Sequence, residues 1–131
     1  MEPLNFIAID DDPDVFDMYT FLKKDHEFLR DGIFERFKEV PQATKFIRES
    51  KESICAIFLD LVGCEKGRDV LIHEANDRNI EIVLLSSNHE EVSKFIRKYE
   101  EEYPRLIVKA EDKCNIVTVF KNYRFYTSNV A

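Results

Sequence analysis

The chain predicts an α/β domain of three layers, a doubly wound five-stranded parallel sheet with helices on both faces. Two observations predict it. Five short strand-like segments alternate strictly with segments of helical periodicity, and parallel neighbours are the arrangement that needs such crossover connections. The run at Ile54 to Leu59 is apolar at every position, as expected of a central strand covered on both faces.

The elements follow in order. Leu4 to Ile9 is a buried strand that stops at Asp10, Asp11 and Asp12. Asp12 is a candidate N-cap and Pro13 suits a first helical turn, after which Val15, Met18, Tyr19 and Leu22 recur at helical spacing to a helix end near Lys24. Ile33 to Lys38 is a more polar strand of alternating character. Pro41 opens a helix that turns Ala43, Phe46 and Ile47 inward. The strand Ile54 to Leu59 ends at Asp60, and the loop Leu61 to Gly67 leads to a helix of about ten residues containing Val70, Leu71 and Ala75. Ile80 to Leu85 is a further strand, ending at Ser86. Ser87 and Glu90 fit a capping box for a helix whose Val92, Phe95, Ile96 and Tyr99 share one face. Pro104 breaks it. Leu106 to Val108 is the fifth strand, ending at Lys109, and Asp112 is placed to cap a last helix carrying Ile116, Val119, Phe120 and Tyr123. Residues 1–126 read as one domain and 127–131 as a loose tail or the start of a linker.

Composition narrows the function. The 131 residues include 26 acidic and 19 basic side chains, for a formal net charge of -7. A domain of this size buries very roughly two-thirds of the surface of its unfolded chain, enough to fold without disulfides or a structural metal. The acid excess opposes binding to a phosphate backbone, which needs a basic patch to displace counterions, so no direct nucleic-acid partner is expected. A cation is the more natural small partner. No apolar run approaches the ~20 residues that cross a bilayer, and the start lacks the basic and apolar regions of a secretory signal; no membrane partner and a cytoplasmic location are expected. Cys55, Cys64 and Cys114 are odd in number and widely spaced, which suits reduced thiols rather than a disulfide framework or a zinc site.

Function enters at the strand ends. Ligands of open parallel sheets bind outside the carboxyl ends of the strands, where the strand order reverses. Four of the five strands end at Asp10-Asp11, Asp60, Ser86 and Lys109, so three carboxylates, a hydroxyl and an ammonium are expected at one edge. Taken singly, each has an ordinary role as a turn, a cap or a solvated charge. Taken together they point to a site, because three clustered carboxylates repel unless a cation sits among them, and hard oxygen ligands suit Mg²⁺.

The segments Ile9-Asp10-Asp11-Asp12-Pro13-Asp14-Val15, Phe58-Leu59-Asp60-Leu61, Leu84-Leu85-Ser86-Ser87 and Val108-Lys109, in this order and placement, resemble the receiver domain of two-component response regulators over essentially the whole chain. The resemblance implies the flavodoxin-like strand order 2-1-3-4-5. It implies that Asp60 accepts a phosphoryl group from a histidine kinase or histidine phosphotransfer protein, and that the chain is a signalling phosphoacceptor rather than an enzyme with a separate substrate. It further implies Mg²⁺ held by Asp11, Asp60 and the backbone carbonyl of Val62, with Asp10 acting through water; Lys109 paired with Asp60 and then with a phosphoryl oxygen; and Ser86 reaching toward the phosphoryl group. Output is implied on the face made by the helix Glu90 to Tyr99, the strand Leu106 to Val108 and the helix Lys113 to Tyr123, which serves a downstream effector or a homodimer. His26, His73 and His89 have no part in it and read as surface residues.

Four departures from that pattern bear on these expectations. Gly63-Cys64 stands where Met-Pro is usual, the interval from Asp60 to Gly67 is one residue short, Ala110 replaces the proline after the lysine, and Leu106 occupies the aromatic switch position. Two other readings compete. A haloacid-dehalogenase-type phosphohydrolase would use Asp10 as nucleophile with Asp12 as its partner, but Asp14 stands where Thr or Val is expected and Asp60 is left without a role. A degenerate receiver would keep the fold as a protein-binding module without phosphorylation.

Overall fold

The computed structural model describes residues 5–25, 32–61 and 63–112. Within them the order is β1 (Phe6–Ile9), α1 (Pro13–Asp25), β2 (Phe34–Phe37), α2 (Val40–Glu49), β3 (Ala56–Asp60), α3 (Arg68–Asp77), β4 (Glu81–Leu85), α4 (His89–Glu102) and β5 (Val108–Glu111). The five strands form one sheet in the order β2-β1-β3-β4-β5, and every pairing is parallel. This is the flavodoxin-like α/β arrangement expected from the sequence. The last helix expected from Asp112 onward, His26, Cys114 and Val62 lie outside the described residues.

Side-chain alternation divides the core in two. Ile7, Ile9, Ile57, Leu59, Ile82 and Leu84 face α2, α3 and α4, where they meet Ala43, Ile47, Leu71, Ile72, Ala75, Phe95 and Tyr99. Phe6, Ala8, Ala56, Phe58, Val83 and Leu85 face the other way, against Tyr19 of α1 and Phe34 of β2. β1 and β3 are buried at every position, which explains why their sequences are continuous apolar runs rather than alternating ones. Fully burying each Ile, Leu or Phe side chain of these strands contributes about 1.5–3 kcal/mol, so the paired centre of the sheet is its most strongly determined part.

Caps agree with the sequence at one helix and differ at another. Asp14 N donates to Asp12 Oδ1 at 3.0 Å, ahead of Pro13 in the first turn of α1. At α4 the cap is Asn88 rather than Ser87: its side-chain oxygen accepts from the backbone N–H groups of Glu90 and Glu91 at 3.1 and 3.2 Å. Asn is as good an N-cap as Ser. Val70 is half exposed, because Leu71, Ile72 and Ala75 carry the inward stripe of α3. Among the described residues no helix is long and apolar enough to cross a membrane.

The fifth strand departs most. The sequence predicts Leu106 to Val108 with Lys109 at its end, whereas β5 runs from Val108 to Glu111, with Ile82 opposite Val108 and Leu85 opposite Glu111. Ser86 N then donates to Glu111 O at 3.1 Å. Glu111, not Lys109, ends the strand, and Ile107 is left half exposed beside it.

Candidate functional site

Register places two carboxylates side by side. Ile9 of β1 lies opposite Leu59 of β3, so Asp10 and Asp60 leave neighbouring strands at one level. Both continue the alternation that points Ala8 and Phe58 to the α1 face. The backbone at Asp10 is still tied to the sheet, its N–H donating to Phe37 O at 2.9 Å. Asp11 follows in the turn. One carboxylate oxygen each from Asp10, Asp11 and Asp60 lie within 4.8 Å of one another. Asp10 and Asp60 are buried while Asp11 is exposed, so the cluster opens to solvent on the Asp11 side.

Local chemistry sorts the three consecutive aspartates at the end of β1. Asp10 Oδ1 accepts from Asp12 N at 2.9 Å, which leads the chain out of the strand. Asp12 is committed to capping α1 through Asp14 N and is not among the clustered carboxylates. Gly63, in the loop after β3, has a φ of +97°, and a Cβ built there would lie 2.6 Å from Asp11 Oδ2. Only glycine fits, because of both the left-handed backbone and the carboxylate against it.

Two further buried groups lie beside the cluster, and one of them, Cys64, is already close to Asp60 in sequence. Cys64 is buried, with Sγ 3.9 Å from Lys38 O. Burial, then the charges of Asp60, Asp11 and Asp10, push its thiol up to about 11, so it is held as a neutral thiol. This opposes redox reactivity, which requires the thiolate. The Tyr19 hydroxyl is buried with no hydrogen-bond partner among the described residues. Burial first, and then Asp10 and Asp60, raise it far above the ordinary tyrosine value. In sequence Tyr19 is one more member of an apolar helical stripe, and nothing in that periodicity signals a nearby carboxylate.

Of the remaining predicted residues, Ser86 shares this edge and Lys109 does not. Ser86 follows Leu85, which lies opposite Asp60, and so reaches the same edge; its Oγ accepts from Asn88 N at 3.1 Å in the turn into α4. Lys109 is not brought to the acidic cluster. It lies opposite Val83, two residues short of the Leu85 level, and its Nζ is 3.0 Å from Glu81 Oε1 at the far end of β4. From strand spacings, its Cα is roughly 12 Å from that of Asp60. Among the described residues every peptide bond is trans, that between Lys109 and Ala110 included. His73 and His89 are exposed, as expected.

Comparison with known proteins returns no match: no family model, no curated protein and no solved structure is significantly similar to this chain. What the site can do therefore rests on its geometry. Its donors are hard carboxylate oxygens, with no sulfur or imidazole among the clustered atoms. That set fits a hard divalent cation of the Mg²⁺ kind and fits soft metals poorly.

Proposed function

We propose that the chain is a receiver-type phosphoacceptor domain in which Asp60 takes a phosphoryl group in a Mg²⁺-dependent reaction. The observation that carries this reading is the convergence of Asp10, Asp11 and Asp60 at the carboxyl edge of β1 and β3 in a sheet of order 2-1-3-4-5. Asp60 lies on a central strand and Asp11 lies on the solvent side, so a donor can approach from outside while the sheet holds the nucleophile. Asp11 and the Asp60 carboxylate would hold Mg²⁺ directly, with Asp10 acting through water. The ion supplies neutralisation of charge on the carboxylates and on the transferring oxygens when bound. The Asp60 carboxylate oxygen attacks phosphorus in line, and the donor's bond to phosphorus breaks. A histidine kinase or phosphotransfer protein is the donor in this reading, the cytoplasm its location, and Ser86 at the same edge is the group placed to sense the product.

A second reading is favoured by one observation. Lys109 Nζ lies against Glu81, at the end of β4 away from Asp60, which suits a cation-binding receiver-like module that is not phosphorylated. The hydrolase reading is disfavoured because Asp12, its required second carboxylate, caps α1 instead.

Incubation with Mg²⁺ and a small acyl phosphodonor separates these readings. Phosphotransfer predicts one base-labile phosphoryl group, lost in Asp60→Asn and in the presence of a chelator. Absence of label on the unmodified protein supports the binding module, and label that survives Asp60→Asn but vanishes in Asp10→Asn supports the hydrolase.

A further inference from the structure

The loop that joins Asp60 to α3 is held by one side chain that the sequence pattern does not single out. Arg68 opens α3, yet its guanidinium turns back over the loop. Nε donates to Cys64 O at 2.6 Å, and Nη2 donates to Leu61 O. These two carbonyls bracket the turn in which Gly63 lies against Asp11. The same guanidinium carbon lies 6.0 Å from the centre of the Phe95 ring of α4. The neighbouring residue repeats the connection: Tyr99 OH of α4 donates to Asp69 Oδ1 at 2.6 Å, with Lys98 Nζ 3.4 Å from the same oxygen. The first turn of α3 thus holds the loop on one side and α4 on the other.

We propose that Arg68 is a positioning residue of the acidic site, fixing the loop after Asp60 against Asp11 and tying that loop to α4. The proposal rests on reading the cluster as a cation site and adds what keeps it in shape. A guanidinium is suited to the task because its planar fork satisfies two carbonyls at once, whereas an ammonium is a point donor on a flexible stem. The sign of the charge separates positioning from electrostatics. A positive charge near the carboxylates competes with a bound cation, so removing it should by itself strengthen cation binding; loosening the loop should weaken it.

Two variants of the full chain test this. Arg68→Lys keeps the charge and loses the fork, while Arg68→Met keeps the stem against Phe95 and loses both donors and charge. Amide hydrogen exchange without metal reads the loop, and Mg²⁺ titration reads the site. In Arg68→Lys the amides of Gly63, Cys64 and Glu65 should exchange ~10-fold faster while those of Leu71 and Ile72 do not change, as expected of a local opening. Mg²⁺ binding should weaken about 10-fold, the low end of the range for losing support behind a ligand. Arg68→Met should show the same loop exchange with a smaller loss of Mg²⁺ affinity, the lost repulsion offsetting part of it. Wild-type exchange and affinity in Arg68→Lys would overturn the proposal in favour of charge alone, and full retention in Arg68→Met would overturn it in favour of packing. Failure of the underlying cation reading looks different: wild-type protein then shows no Mg²⁺ binding, whatever the loop does.

Discussion

The two halves of the sheet's carboxyl edge behave differently. At β1 and β3 the strands are buried at every position, their register is fixed on both sides, and the residues that follow converge on one cluster. At β4 and β5 the outer strand has no fully buried position, and the residue expected at the edge is turned to the opposite end of its neighbour. Site residues set on a doubly covered strand inherit that strand's precision. Those on an edge strand inherit its freedom.

The largest effect expected from breaking this contrast is at Gly63. Gly63→Ala puts a Cβ 2.6 Å from Asp11 Oδ2 on a backbone with φ of +97°, and the combined strain and clash should destabilise the fold by ~2–3 kcal/mol, read by urea denaturation. It should also weaken Mg²⁺ binding, because the loop and Asp11 cannot both keep their places. Next is the repulsion within the cluster. In chelator, Asp10→Asn should stabilise the protein by about 1 kcal/mol, since one of three mutually repelling carboxylates is neutralised. In Mg²⁺ that order should reverse.

Two smaller effects sharpen the comparison. Tyr19→Phe removes a buried hydroxyl with no partner among the described residues and should be neutral or stabilising by up to ~1 kcal/mol in thermal unfolding. Lys109→Ala at the other half removes an ion pair whose lysine is 64% exposed. Because its partner Glu81 is only 12% exposed, it should cost about 1 kcal/mol, and it should leave Mg²⁺ affinity unchanged. A large loss of Mg²⁺-dependent phosphorylation in that variant would show that Lys109 reaches Asp60 after all. For Cys64, whose thiol is pushed up to about 11, alkylation at pH 8.5 should be slow and should accelerate only as pH rises toward that value or as the protein unfolds.

How much was legible follows the same division. The continuous apolar runs at 6–9 and 56–59, and the aspartates that follow them, could be read from sequence because burial on two faces leaves no alternative. The register of β5 could not. Side chains alternate with a period of two, so a strand shifted by two residues keeps every side chain on its face. The pattern Leu106-Ile107-Val108-Lys109-Ala110-Glu111 therefore fits the strand Leu106 to Val108 and the observed Val108 to Glu111 alike. Cap choice between Ser87 and Asn88 was similarly open, since both can accept from the first helical N–H groups. Arg68 and Gly63 were invisible for another reason: their roles depend on how a loop folds back, which no periodicity encodes.

The most direct test of the acidic edge is thermal unfolding of the wild type and Asp60→Asn, each in chelator and in millimolar Mg²⁺. A cation site built from Asp10, Asp11 and Asp60 predicts that Mg²⁺ raises the wild-type midpoint in proportion to ln(1 + [Mg²⁺]/Kd). It also predicts that Asp60→Asn starts higher in chelator and responds little to the ion. Equal responses of the two proteins, or none in the wild type, would contradict it.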